Sequence, residues 1–220
     1  MYMTRRSFLP PVAALATRAG LADHTIALPQ PRTKGETSLE HCLLNRRSVR
    51  SYRDVPLLLD AVGQLLWAAQ GVTAEGHLRT APSAGALYPL EVYLVAGNVD
   101  GVSPGLYHYR PERHELLLVK PGDLRQELAR ATFEQDCVQS AAATILFAAV
   151  YARTGGKYGQ RATRYVHMEA GHAAQNVCLQ AAALGLGTVT VGAFQDDEVK
   201  RVAELPESHE PVYLMPVGRK

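Results

Sequence analysis

The chain lacks the marks of a metal centre or a disulfide framework. Its 220 residues include only three cysteines, Cys42, Cys137 and Cys178, too far apart for a CxxC or zinc-finger pattern. Each sits among apolar residues, so inert buried thiols are expected. His108 and His114 have no cysteine or carboxylate neighbour at metal-ligand spacing, and read as structural or surface residues. His167 and His172 are five residues apart, not the four of a helical zinc pair, so no metal is expected. No block of lysine and arginine stands out, which argues against a nucleic-acid partner. No run reaches the roughly 18 apolar residues of a transmembrane helix. GxGxxG, GxxxxGK[ST] and an ordered Ser-His-Asp or Cys-His signature are also missing.

What is there is an ordinary globular balance, 47% apolar and 20% charged, with length enough for one domain. Residues 1–36 read as a leader or flexible arm and residues 37–220 as the compact domain. Arg5-Arg6-Ser7-Phe8-Leu9 before a mild apolar run resembles a twin-arginine export signal, interrupted by Pro10 and Pro11. A cytoplasmic chain with an irregular leader is the expectation, with export as the alternative. The formal charge of +2 belongs to this leader: without Arg5, Arg6 and Arg18 it would be −1. Pro29 to Gly35 reads as a linker or surface arm.

Thr37 and Glu40 have the spacing of a capping box for a first helix. That helix runs into Arg46-Arg47-Ser48-Val49-Arg50-Ser51-Tyr52. Arginine forks beside a hydroxyl suit a phosphate monoester, and equally suit a helix C-terminus. Leu58, Val62, Leu65, Leu66 and Ala69 form the stripe of a second helix, which Gly71 stops. Pro82 to Pro89 is a small-residue loop feeding the strand Glu91–Ala96. Such a loop either lets a flat ligand approach the backbone or is simply a turn. Leu106–Tyr109 and Glu115–Val119 form a hairpin, and Asp123 with Gln126 caps a helix through Leu128 and Phe133. Ala142–Tyr151 is a central strand buried on both faces. Arg153 to Gly159, with three glycines, reads as a mobile or tight loop. Its Lys157 and Tyr158 are either a solvated pair or a proton-handling ammonium and phenol.

Arg164 to Phe194 is the long stretch around which the chain is organised. Its alanines and leucines predict a helix apolar on more than one face, buried mid-domain. Yet it carries His167, Glu169, His172, Gln175 and Asn176, and buried polar groups need partners. Gly185-Leu186-Gly187 stops it before the strand Thr188–Val191, and Asp196 heads a short helix. Pro211–Arg219 is a terminal strand whose prolines suit a sheet edge.

Four of these segments, in order, resemble the nitroreductase-like flavoenzymes. They are Arg46 to Tyr52, Pro82 to Pro89, Glu169 to Asn176, and Leu184-Gly185-Leu186-Gly187 with Gly192-Ala193-Phe194. Tyr213 to Gly218 agrees, and the resemblance, over residues 37–220, is closest to the SagB-type dehydrogenases that form thiazole and oxazole in peptides. It implies an α+β fold, a mixed sheet flanked by helices, with FMN at a homodimer interface. By resemblance Arg46, Ser48 and Arg219 hold the FMN phosphate, with Arg47 and Arg50 beside them. Pro82, Ser83, Ala84, Gly85 and Leu87 would lie against the ring or ribityl chain. Gln175 and Asn176 would reach ribityl or interface groups, and the Val191-Gly192-Ala193 backbone the reactive ring edge. Lys157 and Tyr158 resemble the pair implicated in azoline oxidation, as candidate catalytic residues. The implied reaction is dehydrogenation of an azoline-like or peptide-derived heterocycle by hydride transfer to FMN. NAD(P)H-dependent reduction of nitroaromatics or quinones is the alternative on the same cofactor, and a noncatalytic flavin-binding scaffold the alternative of another class.

Overall fold

A computed structural model describes residues 24–75 and 78–220; the twin-arginine stretch lies outside the described residues. In chain order the first elements are β1 (Thr25–Ala27), α1 (Leu39–Asn45), α2 (Leu59–Gln70), β2 (Val72–Ala74), β3 (Leu78–Arg79), β4 (Leu90–Ala96), β5 (Gly105–Arg110) and β6 (Glu115–Pro121). There follow α3 (Arg125–Ala131), α4 (Asp136–Gln139), β7 (Ala143–Ala149), α5 (Tyr151–Tyr158), α6 (Ala162–Ala183), β8 (Leu186–Thr188), α7 (Asp196–Val202) and β9 (Glu210–Arg219).

Seven strands form one sheet, in the order β1-β6-β5-β4-β7-β9-β8, and β2 with β3 makes a separate hairpin. Every named neighbour pair is antiparallel. The parallel component is two isolated bridges, Ser48 with Thr188 and Leu57 with Val99. β7 is buried at every position, as its unbroken apolar run predicts. Its side chains alternate between two cores. Ile145 and Phe147 face α2 and α6, packing with Leu66, Val166 and Val177. Leu146 and Ala148 face α3, α4 and α7, packing with Leu128, Val138 and Val199. Each such leucine, isoleucine or phenylalanine contributes about 1.5–3 kcal/mol on full burial.

Several expectations need correction. The cap of α1 is Ser38, not Thr37: its Oγ accepts the His41 N–H at 3.2 Å. At α3 no capping box forms; Asp123 instead accepts from the Arg125 backbone and guanidinium, and Phe133 lies beyond the helix and exposed. Thr25–Ala27 pairs with β6 and Leu28 is buried, so packed residues begin well before Thr37. The segment read as a glycine loop is the helix α5. Each interior glycine costs about 1 kcal/mol of helix propensity. Packing on α6 offsets that cost: the Tyr158 ring meets Tyr165 edge-on, and Tyr151 Oη pairs with His167 Nε2 at 2.7 Å. Gly159, at φ +53°, ends the helix. The terminal strand is interior, between β7 and β8, not an edge. Pro216 is tolerated there because its carbonyl faces the β8 side, where it accepts from the hydroxyls of Thr188 and Tyr52. A missing N–H on that side costs no ladder bond, since β8 ends at Thr188 opposite Val217.

α6 is one-sided within a single chain. Glu169, Ala170, Ala173, Ala174, Val177 and Cys178 are buried, whereas Arg164, His167, Met168, Gly171, His172 and Gln175 are exposed. The expectation of burial on several faces therefore fails for the isolated protomer.

Candidate active site

Two constellations form from segments far apart in sequence. The first surrounds the small-residue loop. Pro82 to Tyr88 makes a tight turn in which Gly85, Ala86 and Tyr88 have φ of +64°, +54° and +44°. Glycine adopts this region freely; alanine and tyrosine do so only under restraint. The restraints are visible. Ser83 Oγ accepts the Tyr88 N–H at 2.9 Å, and Ser83 O accepts the Ala86 N–H at 3.1 Å. From α6, the Glu169 carboxylate, 4% exposed, accepts the Ala84 N–H at 2.8 Å. From α5, Lys157 and Tyr158 close over Gly85: a Cβ there would lie 2.8 Å from Lys157 Nζ and 2.9 Å from Tyr158 Oη. No side chain larger than hydrogen fits at Gly85 with that pair in place. The loop also rests on Asn176, whose Nδ2 donates to Thr80 O at 3.2 Å.

The second constellation is the arginine segment against the end of β8 and β9. Val49 N donates to Thr188 O at 3.0 Å and Arg53 N to Arg219 O at 2.9 Å. Gly187 and Gly218 are register partners across this strand pair. A Cβ on Gly187 would stand 2.6 Å from Val49 Cγ1, and one on Gly218 would stand 2.6 Å from Tyr52 Cβ. These glycines let the arginine segment lie flat on the sheet end, with Ser48 and Arg219 brought to one edge. Arg46 caps α1, donating its backbone N–H to Cys42 O. Burial raises the Cys178 thiol pKa, and the Arg46 charge opposes that rise. Burial likewise raises the Cys137 thiol pKa, opposed by the Arg50 charge. Arg47 bends back to donate to Leu44 O and Arg46 O, the helix-end role.

The remaining candidates divide. Val191 is buried and its N–H is taken by Leu214 O at 2.8 Å. Gly192 and Ala193 are exposed beside it, and Ala193 O accepts from Gln135. Gln175 is exposed on the open face of α6, apart from the loop of its own chain. A cavity of about 600 Å³ lies between residues 32–39, α1, α2 and α6, lined in part by Gln64, Trp67, Thr80 and Asn176. Another of about 480 Å³ between α3 and α7 holds none of the candidate residues.

Residues 43–219 match the model of the nitroreductase family. The chain belongs to that family. It is 49% identical over 185 residues, 84% of its length, to a protein of Methanocaldococcus jannaschii named "Putative nitroreductase MJ1384", of which it covers 92%. The crystal structure of a nitroreductase-named protein from Ralstonia eutropha JMP134 superposes with a TM-score of 0.79 at 33% identity, over 97% of this chain and 95% of that one. The Escherichia coli microcin synthetase McbBCD complex with truncated pro-MccB17 bound contains a chain similar in fold at 23% identity, with a TM-score of 0.69, over 98% of this chain and 85% of that chain. The protein is thus a flavin oxidoreductase of the nitroreductase family.

Within this family member, some structural partners escaped the sequence. Glu169 was legible as a buried polar residue, but not its contact with Ala84. Gln64, 5% exposed, clasps the Arg32 backbone at both N–H and carbonyl and donates to Gln180. Arg153, Glu91 and His108 form a linked hydrogen-bonded cluster beside the loop. Nothing in their spacing marks them, because the β4–β5 pairing brings Glu91 to His108 and the packing of α5 brings Arg153 to Glu91. Among the described residues no helix is long and apolar enough to cross a membrane.

Proposed function

We propose that the chain is an FMN-dependent dehydrogenase of SagB type that oxidises an azoline-like or peptide-derived heterocycle. The observation that carries this reading is the convergence of Lys157 Nζ and Tyr158 Oη over Gly85. The residues present fit the cofactor. Ala84 and Ala86, with no side chain beyond Cβ, would let a flat ring lie beside the Lys157–Tyr158 pair that covers Gly85. Arg46, Ser48 and Arg219 offer two cations and a hydroxyl for a phosphate. When bound, FMN supplies the two-electron acceptor for a substrate hydride.

The protein's own contribution is geometry and proton handling. The loop backbone and the Gly192-Ala193 backbone would orient the ring, and a backbone N–H there would oppose negative charge as it develops. Lys157 removes the ring proton of the substrate as its C–H hydride departs, and Tyr158 donates a hydrogen bond to the reacting group. The exposed face of α6, with Met168 and Gln175, and the exposed Leu39, Leu43 and Leu44 of α1 suit burial against a second copy in a homodimer. The fold likeness to a chain of the McbBCD complex supports a modified-peptide substrate.

A second reading is reduction of nitroaromatics or quinones with NAD(P)H as reductant; the Methanocaldococcus relative's name, a nitroreductase, favours its nitro-reducing form. One anaerobic experiment separates them. Loss of oxidised-flavin absorbance is followed after adding NADH, NADPH or an azoline peptide. Bleaching by the azoline peptide supports the dehydrogenase. Bleaching by NAD(P)H alone supports the reductase, and bleaching by none supports a flavin-binding scaffold.

A further inference from the structure

We infer that Arg153 is a positioning residue: it locks the helix bearing Lys157 and Tyr158 to the small-residue loop on which the flavin ring is proposed to lie. The inference rests on that flavin reading for its catalytic consequence, but not for its geometry. Arg153 and Lys157 are four residues apart on α5 and so share one face. Lys157 meets the loop at Gly85, and Arg153 meets it three residues later, donating from Nη1 to Tyr88 O at 3.0 Å. The same guanidinium donates from Nη2 to Glu91 Oε1. Glu91 is itself fixed, because its Oε2 pairs with His108 Nε2 at 2.7 Å. The His108 ring stacks on Tyr93 with centroids 4.7 Å apart, and Tyr93 Oη pairs with His209 Nδ1 at 2.8 Å. The chain of contacts thus runs from strands β4 and β5, through one carboxylate, to a single arginine that holds both α5 and the loop.

The loop needs such a hold. Tyr88 is a non-glycine residue at φ +44°, and Ala86 stands at +54°. Each such residue costs on the order of 1 kcal/mol and persists only when its surroundings fix it. Tyr88 is fixed at three points: its N–H by Ser83 Oγ, its carbonyl by Arg153, and its ring by the Arg79 guanidinium 4.7 Å from the centroid. Of the three, the Arg153 contact is the one that also sets where Lys157 and Tyr158 stand. The Arg153 side chain is 40% exposed, so its loss leaves both cores intact and acts locally. A shift of about 1 Å at reacting groups is enough to cost about a hundredfold in rate.

The test uses the full chain with FMN, as wild type, Arg153→Gln, Arg153→Lys, Glu91→Gln and the double variant Glu91→Gln/Arg153→Gln. Three readouts are taken: amide hydrogen exchange in residues 83–88 and 153–158 without flavin, the visible circular dichroism of bound FMN, and kcat and KM. For Arg153→Gln, exchange should rise about tenfold in both segments together, the scale of one charge-assisted hydrogen bond. The flavin dichroism should change, and kcat should fall about tenfold or more while KM moves less than about twofold. Arg153→Lys should restore part of kcat, and Glu91→Gln should act in the same direction. The double variant should be no worse than Arg153→Gln alone, because both act through one link. Wild-type exchange in a folded Arg153→Gln protein, exchange that rises in one segment only, or additive losses in the double variant would overturn the inference. If Arg153→Gln does not fold, Arg153→Lys and Glu91→Gln decide by the same readouts. A wild-type chain that takes up no FMN sinks the flavin reading, while the flavin-free exchange still decides the lock.

Discussion

Lys157 Nζ stands 2.8 Å from the point that a Cβ on Gly85 would occupy, on a loop 72 residues earlier in the chain. The contact joins the end of α5 to a turn that glycine alone enters without strain. If Lys157 is the base, Lys157→Ala should leave FMN bound and lower turnover by about 10²–10⁴-fold, the usual range for a positioned proton acceptor. Flavin content from the absorbance spectrum and a steady-state rate check this together. Unchanged turnover removes Lys157 from the mechanism.

Glu169 holds the same loop from the other side. Glu169→Ala leaves the Ala84 N–H without its acceptor and a void in the alanine face of α6. It should cost about 1–3 kcal/mol in urea unfolding. Glu169→Gln keeps an acceptor oxygen and should cost less. Equal losses in the two variants would show that the charge, not the hydrogen bond, is what matters.

Stability should fall with acid in two stages. Burial pushes His114 and His209 below their ordinary 6.5, opposed by the Pro29 carbonyl on His114 and by the Glu91 charge on His209. For both, the folded state favours the neutral ring, so stability is present above pH 6.5 and is lost as pH falls through the lower folded values. Glu91 follows. Burial alone would raise its carboxyl, but the hydrogen bonds from His108 and Arg153 outweigh it and hold it at about 2. Its contribution is present above 4.5 and is lost between 4.5 and about 2. Chemical denaturation midpoints across this range should decline in that order. A midpoint that rises below pH 6.5 contradicts the sign.

Gly218 lets Tyr52 lie against the sheet end, where Tyr52 Oη donates to Val49 O and Pro216 O. Gly218→Ala places a Cβ within 2.6 Å of Tyr52 Cβ and lifts the arginine segment. FMN affinity should fall by about tenfold or more, the scale of one charge-assisted hydrogen bond to phosphate. Fluorescence titration of FMN measures it, and wild-type affinity would show that Ser48 and the arginines do not hold the phosphate.

The elements that strong periodicity marks were legible. α2 shows one apolar stripe ended by Gly71, and β7 an unbroken apolar run, so each could bury itself in only one way. α5 was not legible, because Gly155 and Gly156 read as breakers and the compensating partners, Tyr165 and His167, lie on the next helix. β1 was hidden too: three residues before a proline-marked stretch carry no alternation long enough to read. β9 misled through its prolines, since a sequence does not tell which side of a strand has lost its ladder partner. The cofactor candidates came from resemblance to a family. What the fold adds is their sorting. Ser48 pairs with Thr188 and Arg219 with Arg53 at the end of the strand pair, and Arg47 turns back on its own helix. The contacts of Glu169 and Arg153 with the loop span 85 and 65 residues, distances at which local pattern carries no signal.

We propose that this chain holds FMN through Arg46, Ser48 and Arg219. The direct measurement is an FMN titration of flavin-stripped wild type and Arg46→Ala, followed by fluorescence quenching. Saturable binding by the wild type, weakened about tenfold to a hundredfold in Arg46→Ala for the loss of one charged hydrogen-bonding partner, is the predicted result. Absence of binding by the wild type, or equal affinity in the two proteins, would contradict it.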